Sequence, residues 1–492
     1  MPISPKKITI ALAITFVLSG CSAMRSYDDE LKQTVDLVAQ GQVNQALQQL
    51  DSNNTNSDKD LLYYFEKGTL QRFNNQYKDS VSTWLSADRL VNEWENEAKI
   101  RAGAILENIG AVTLNDKTRR YDGHDYEKVM LSTQLALDHL LNGDWDFART
   151  EIKKTHEREA VIAEVRAKEA AEIEKESKAK GINTTFKDLN GYPVETLNSP
   201  EITSLRNGYQ SAFSHYLAGF IYEALNEPSL AAAGYRQAIE LRPNTKTLED
   251  GLAGLDLRPR QHKPNETDVL MVVESGVAPS LSSVMIPIPV IYKGLGVIPI
   301  SFPVLHSDPT HTSAPNAVSI DSTINQPLAM VTSLDAMSKR ALKDDMTGII
   351  LRGILRAAVK TASQQALMSS NNSYAVLAGV ALNAVNVITE SADERTWRTL
   401  PSTINVARFS LPTGKHEFTI GSRKQTLDIN GSHAVVVARV INNQVYWSQP
   451  VYTAKMPANY MMSAPKIEPD MTPAKNVAKT VRKSSNKKRS KK

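Results

Sequence analysis

The chain has 492 residues, of which 41% are apolar and 22% charged, which suits two or three packed domains and excludes a wholly disordered chain. Its net charge of +4 belongs to the C-terminus: Lys475 to Lys492 carries nine Lys and Arg and no acid, so the rest of the chain stands at −5. A single cysteine, Cys21, excludes a disulfide framework.

The chain opens with Lys6 and Lys7, then an apolar run from Ile8 to Leu18, then Leu18-Ser19-Gly20-Cys21. The run has the length of a signal-peptide core and is too short to span a bilayer. The tetrapeptide looks like a bacterial lipobox, which predicts cleavage after residue 20 and acylation of Cys21, since two or more acyl chains anchor a protein stably. An ordinary secretory signal with a stray cysteine is the plain alternative. Ser22, in place of an aspartate, points onward to the outer membrane, with the body facing the periplasm and surface display left open.

Residues 27–258 read as TPR-like helical repeats. In "AFSHYLAGFIYEALNEPSLAAAGYRQAIELRPN", Gly219 is followed at fixed offsets by Ala231, Tyr235, Ala238 and Pro243. Two helices cross closely only where small side chains meet, an aromatic fills the groove beside them, and a proline ends the second helix. The same offsets run from Gly68 to Ser80, Trp84 and Ala87, and from Ala136 to Ala148 and Ile152, with a half-match at Ala46 and Leu50. An unrelated helical bundle is the alternative. "EIKKTHEREAVIAEVRAKEAAEIEKESKAK" predicts a long helix of alternating charge, ended by Gly181 and Asn183, either a solvated arm or a coiled-coil partner.

From about residue 266 the pattern changes to strand. "TDVLMVVESG" is a continuous apolar strand, and "VMIPIPVIYKGLGVIPISFPVL" alternates apolar residues with prolines. Turns at Thr413-Gly414, Asn430-Gly431 and Asn442-Asn443 suggest hairpins in an antiparallel sheet or small sandwich. A helical insertion at about 334–392 holds Arg352, Arg356 and Lys360 on one stripe, then the apolar stretch "SYAVLAGVALNAVNVI", which suits core packing, with membrane contact or self-assembly as the sharper option. The reading is an α+β multidomain chain: leader 1–20, tether 21–26, helical repeats 27–258, a β-rich domain 266–455 with its insertion, and a disordered basic tail 456–492.

"YDGHDYEKVM", "LALDHLLNGDWDFARTE", "VLMVVESGVAPS", "LKDDMTGIILRGILRAAVK" and "DERTWRTLPSTINVARFSLPTGKHEFTI" together resemble an uncharacterised family of TPR-containing bacterial outer-membrane lipoproteins, over about Tyr27 to Pro450. The resemblance implies a cell-envelope location and transfers no catalytic residue.

The sequence holds no HExxH, no GxSxG and no Walker loop; "HEREA" at His156 lacks the second histidine. His306, Asp308 and His311 share one loop, which is read as solvated rather than metal-binding, and Asp344-Asp345 is read as a pair at a helix start. Arg395, Trp397 and Arg398 form a possible partner anchor, with an internal tryptophan bridging helix to sheet as the plain reading. The tail is suited to lipopolysaccharide phosphates, phospholipid headgroups or peptidoglycan carboxylates, or serves only solubility; export argues against nucleic acid. No cofactor and no metal are expected. The expectation is a non-catalytic scaffold or adaptor for envelope proteins, with a self-associating structural or secretion-associated component as the alternative.

Overall fold

A computed structural model describes residues 27–101, 120–183, 185–290, 296–308, 314–368 and 392–450. The leader, Cys21, the apolar stretch 373–388, His311 and the basic tail lie outside these residues. Ten helices of eight residues or more are described. They are α1 (Tyr27–Ala39), α2 (Val43–Asn53), α3 (Leu61–Phe73), α4 (Tyr77–Arg101), α5 (Asp125–Leu141), α6 (Trp145–Lys180), α7 (Ala212–Ala224), α8 (Pro228–Leu241), α9 (Lys246–Ala253) and α10 (Leu334–Met368).

The first eight form four hairpins built on one plan. Each pair is joined by three residues whose middle member is left-handed: Gly41 (φ 84°), Asn75 (φ 58°), Gly143 (φ 82°) and Asn226 (φ 60°). The next amide then reaches back five residues, Gln42 to Leu37 O at 2.8 Å, Gln76 to Gln71 O at 3.0 Å, Asp144 to His139 O at 2.7 Å and Glu227 to Tyr222 O at 2.7 Å. These are Schellman-type ends, which need glycine or asparagine because other side chains crowd the left-handed backbone. Seven residues before each left-handed residue stand Thr34, Gly68, Ala136 and Gly219, all buried.

The crossings are as close as the spacing predicts. Ser80 donates to the Gly68 carbonyl at 2.8 Å, and Trp84 Nε1 to the Phe65 carbonyl at 3.1 Å. A Cβ on Gly68 would collide with the Trp84 ring, and one on Gly219 would lie 2.5 Å from the Tyr235 ring. Ala87, Ala136, Ala148, Ala231 and Ala238 are fully buried in the same core, and Pro243 follows the end of α8. Gly219→Ala should therefore lower stability by about 1–3 kcal/mol by overpacking, even though alanine is the better helix former. Urea denaturation checks this; an unchanged midpoint would mean the ring gives way freely.

The strands are β1 (Glu266–Ser275), β2 (Ser280–Val290), β3 (Gly296–His306), β4 (Ala317–Ile320), β5 (Ile324–Pro327), β6 (Ala329–Ser333), β7 (Thr403–Pro412), β8 (Gly414–Ile420), β9 (Arg423–Ile429), β10 (His433–Ile441) and β11 (Gln444–Trp447). They make a five-stranded sheet in the order β11-β10-β1-β7-β6, a four-stranded sheet β5-β4-β8-β9, and a separate ribbon of β2 and β3. The five-stranded sheet is a middle layer. Leu270, Val272, Val435 and Val437 face the helices, and Val269, Met271, Val273, Val436 and Ala438 face the four-stranded sheet. Burial on both faces explains why β1 reads as an unbroken apolar run.

Three expectations change here. The sheet is not purely antiparallel, since β1 and β10 pair in parallel. Neither Thr413-Gly414 nor Asn430-Gly431 closes a hairpin: β7 pairs with β1 and β6, β8 with β4 and β9, and β10 with β1 and β11, so both turns carry the chain from one sheet to the other. Asn442, at φ 53°, does close the β10–β11 hairpin. The chain also passes from helix to strand near residue 260 without a break in its core, because one cluster joins residues of α3 to α9 with residues of β1, β6, β7 and β10.

The long helix α6 ends at Gly181 (φ 62°) as expected. Its outer half is not free in solvent throughout, since Ile173 packs beside Gly348 of α10 and Arg166 is paired with Asp345. Asp344 and Asp345 lie inside α10 rather than at its start; Asp344 is bound by Arg340 at 2.9 Å. No helix of the described residues is long and apolar enough to cross a membrane.

Candidate functional site: a filled inner face and an open charged cleft

In a helical-repeat array the natural docking surface is the face formed by the first helix of each hairpin. Here that face is covered by the chain itself. All of α5 is buried, as are the first eleven residues of α7 and most of α3. Polar bonds stitch these helices to the sheet: Gln134 donates to Glu274 at 2.7 Å, and the Phe213 amide to Thr332 Oγ1 at 3.0 Å. Arg72 reaches Asp138 at 2.5 Å and the Gln134 carbonyl at 2.7 Å.

The segment "RTWRTLP" is the densest part of this seam. Trp397 is fully buried, stacked on Phe65 at 4.3 Å with Trp84 edge-on at 5.8 Å, and its indole N–H donates to Thr69 at 3.0 Å. Two buried carboxylates take the surrounding amides. Glu127 of α5 accepts from the Trp397 amide at 2.7 Å, and Glu66 of α3 accepts from the Arg398 amide at 2.6 Å and the Thr399 hydroxyl at 2.5 Å. Burial pushes the Glu66 carboxyl up to about 7, although the bonds from Thr399 and Arg398 oppose it.

The partner anchor expected at Arg395, Trp397 and Arg398 is therefore overturned. Trp397 has no surface to offer, Arg398 is buried and donates to the Ala278 carbonyl, and Arg395 is turned onto Asp393 at 2.7 Å. The residues that matter at this seam and that sequence reasoning passed over are Glu66 and Glu127. Their signal is weak, since an acid in an otherwise apolar helical run reads equally as an exposed position.

A cleft of about 710 Å³ remains open between the start of α5, the middle of α6, residues 207–209 and α10. Trp94, Asp125, Lys128, Arg166, Arg340 and Asp345 are among its walls. Burial works against the Asp125 charge, but Arg166 and Lys128 beside it hold the carboxyl down at about 2. Lys128 lies 3.2 Å from the centre of the Trp94 ring and 3.2 Å from Asp125. Arg352 and Arg356 of the expected stripe also line this cleft. Its walls alternate in sign, which suits a polar protein surface carrying both charges better than a polyanion.

His306 faces Ser282 Oγ at 2.6 Å, while the adjacent Ser307 donates to Asp335 at 2.5 Å and Lys339 donates to both. His156 stacks on His215 at 4.9 Å, and His215 meets Glu159 at 3.1 Å. Among the described residues no three His, Cys, Asp or Glu side chains are placed to hold a metal ion.

No family model matches the chain, and no curated protein matches it. A crystal structure described as a tetratricopeptide repeat protein from Parabacteroides merdae aligns with 47% of this chain and 98% of its own, at 13% identity and a TM-score of 0.13, a likeness too slight to argue from.

Proposed function

We propose that the chain is an outer-membrane lipoprotein, held by acyl chains on Cys21, whose TPR-like helix hairpins form a non-catalytic scaffold for envelope proteins. The observation that supports this most is the fourfold repetition of one hairpin turn, with a close crossing at Gly68 and at Gly219. Repeats of this kind make rigid, extended surfaces suited to holding other proteins. Since the inner helix face is filled, the partner is assigned to the charged cleft beside α6 and α10. The basic tail is read as a contact to envelope polyanions.

Crosslinking in intact cells, followed by capture of the chain, tests the reading. One dominant envelope protein should be recovered, and the paired substitution Arg352→Glu with Arg356→Glu should cut its recovery at least tenfold. Recovery of abundant porins alone would count against a scaffold. Mass spectrometry of the native N-terminus tests the anchor separately; a free thiol at Cys21 would remove it.

A further inference from the structure

Strand β7 is longer than the strand that covers its outer edge. On its inner edge it pairs with β1 along its whole length, from Thr403 opposite Ser275 to Pro412 opposite Glu266. On its outer edge β6 pairs only as far as Val406, opposite Ala329. Before Ala329 the chain belongs to the other sheet: Pro327 ends β5, and the Leu328 amide donates to the Asn316 carbonyl at 2.9 Å. Among the described residues no strand pairs with the outer edge of β7 beyond Val406.

Alternation along the strands says which groups are left there. The Asp268 amide donates to the Ser432 carbonyl on the β10 side at 2.9 Å, and the Thr413 amide to the Asn265 carbonyl at 2.8 Å. Backbone polar groups change direction from one residue to the next. Thr267, Val269 and Met271 therefore turn theirs to β7, where Leu411, Phe409 and Ala407 stand opposite. Arg408 and Ser410 turn their N–H and C=O outward. Pro412 has no N–H, and its carbonyl meets His416 Nε2 at 2.8 Å, which closes the far end of the edge.

Residues 407–410 line a cleft of about 530 Å³ whose walls are the two layers that flank the sheet. Tyr216 of α7 and Gly251 of α9 stand on the helix side, and Leu328 on the side of the four-stranded sheet. The charges around it balance: Lys246 is bound to Asp250 at 2.6 Å, Arg258 to Glu223 at 2.6 Å and Arg408 to Asp268 at 2.5 Å. The cleft offers main-chain donors and acceptors rather than a net charge.

We propose that this edge takes an extended, uncharged segment of a partner protein as an added strand, laid beside Arg408 and Ser410 in line with β6. Main-chain bonds supply the affinity of such a strand and alternate side chains its preference. The residue opposite Phe409 is apolar, because Phe409 and Leu328 both lie at the margin of the core between the sheets. Its neighbours face the helix layer and are small, because that layer is close-packed: a Cβ on Gly251 would lie 2.8 Å from the Tyr216 ring. The inference goes beyond the scaffold reading, since it concerns neither Cys21 nor the charged cleft.

Hydrogen–deuterium exchange of the full chain, read at single amides, tests it. In the free chain Arg408 and Ser410 should exchange at least tenfold faster than Phe409. The capped peptide Thr-Val-Thr-Val-Thr at millimolar concentration should slow both at least threefold, and the same peptide methylated on every amide nitrogen should not. Ser410→Pro removes only an outward N–H and should abolish the slowing at Arg408, whereas Ser410→Ala should keep it; slow exchange at Phe409 shows that the strand is intact in either variant. Arg408 and Ser410 amides as slow as Phe409 in the free chain would mean the edge is already covered. That result, slowing by protein concentration alone, equal slowing by the methylated peptide, or no slowing by the unmethylated one would each overturn the proposal.

Discussion

Trp397→Ala should lower the unfolding free energy by about 3–5 kcal/mol, the range for deleting a large aromatic from a packed core. The ring is fully buried between Phe65 and Trp84, so its removal forfeits both contacts and leaves a void that rigid helices close poorly. The loss of its N–H also strips Thr69 of a donor. Because Trp397 joins the helices to the sheet through a shared core, unfolding should remain one transition, shifted as a whole to lower urea. Circular dichroism and near-ultraviolet signals should therefore coincide in the variant as in the parent. Trp397→Phe should recover part of the loss, since it keeps a ring on Phe65 and gives up only the N–H and some area. A loss below about 1 kcal/mol would contradict the burial on which the seam rests.

The second large effect is a pH dependence set by Glu66. Burial raises its carboxyl from the ordinary 4.5 to about 7. Between those values the folded chain binds the proton more tightly than the unfolded chain does. Its contribution is thus complete below pH 4.5 and is lost as the pH rises through about 7, and the interval is worth about 3 kcal/mol. Asp138, raised to about 6 by burial although Arg72 opposes it, acts in the same direction. His433 acts in the opposite direction: burial lowers it to about 4, so its contribution is lost as the pH falls from 6.5 through 4. Glu66→Gln isolates the first effect. The stability difference between the parent chain and this variant should shrink by about 3 kcal/mol from pH 4.5 to pH 8. A difference that stays flat across that range would mean Glu66 is ionised throughout in the folded chain.

Much of the helical half could be read from consecutive residues. The offsets from Gly68 to Ser80 and Trp84, and from Gly219 to Ala231 and Tyr235, mark real crossings because helix periodicity and a short turn place those positions opposite each other. The left-handed turns at Gly41, Asn75, Gly143 and Asn226 were equally legible, seven residues on from the crossing position, and were passed over because asparagine served as often as glycine. The apolar run of β1 likewise announced a strand with no wet face.

What the tertiary structure decided is which surface covers which. The turns at Gly414 and Gly431 look like hairpin turns locally, yet each joins strands of different sheets: β7 and β10 pair with the distant β1 while β8 and β9 pair with each other, and pairing energy is not written in the turn. Trp397 sits between two arginines and so resembles an exposed anchor. It is buried because Glu66 and Glu127, about 330 and 270 residues earlier, accept from the backbone amides around it, and the Ala278 carbonyl accepts a hydrogen bond from the Arg398 guanidinium. Local periodicity is fixed by neighbours along the chain; burial of a polar segment depends on acceptors that only folding brings within reach.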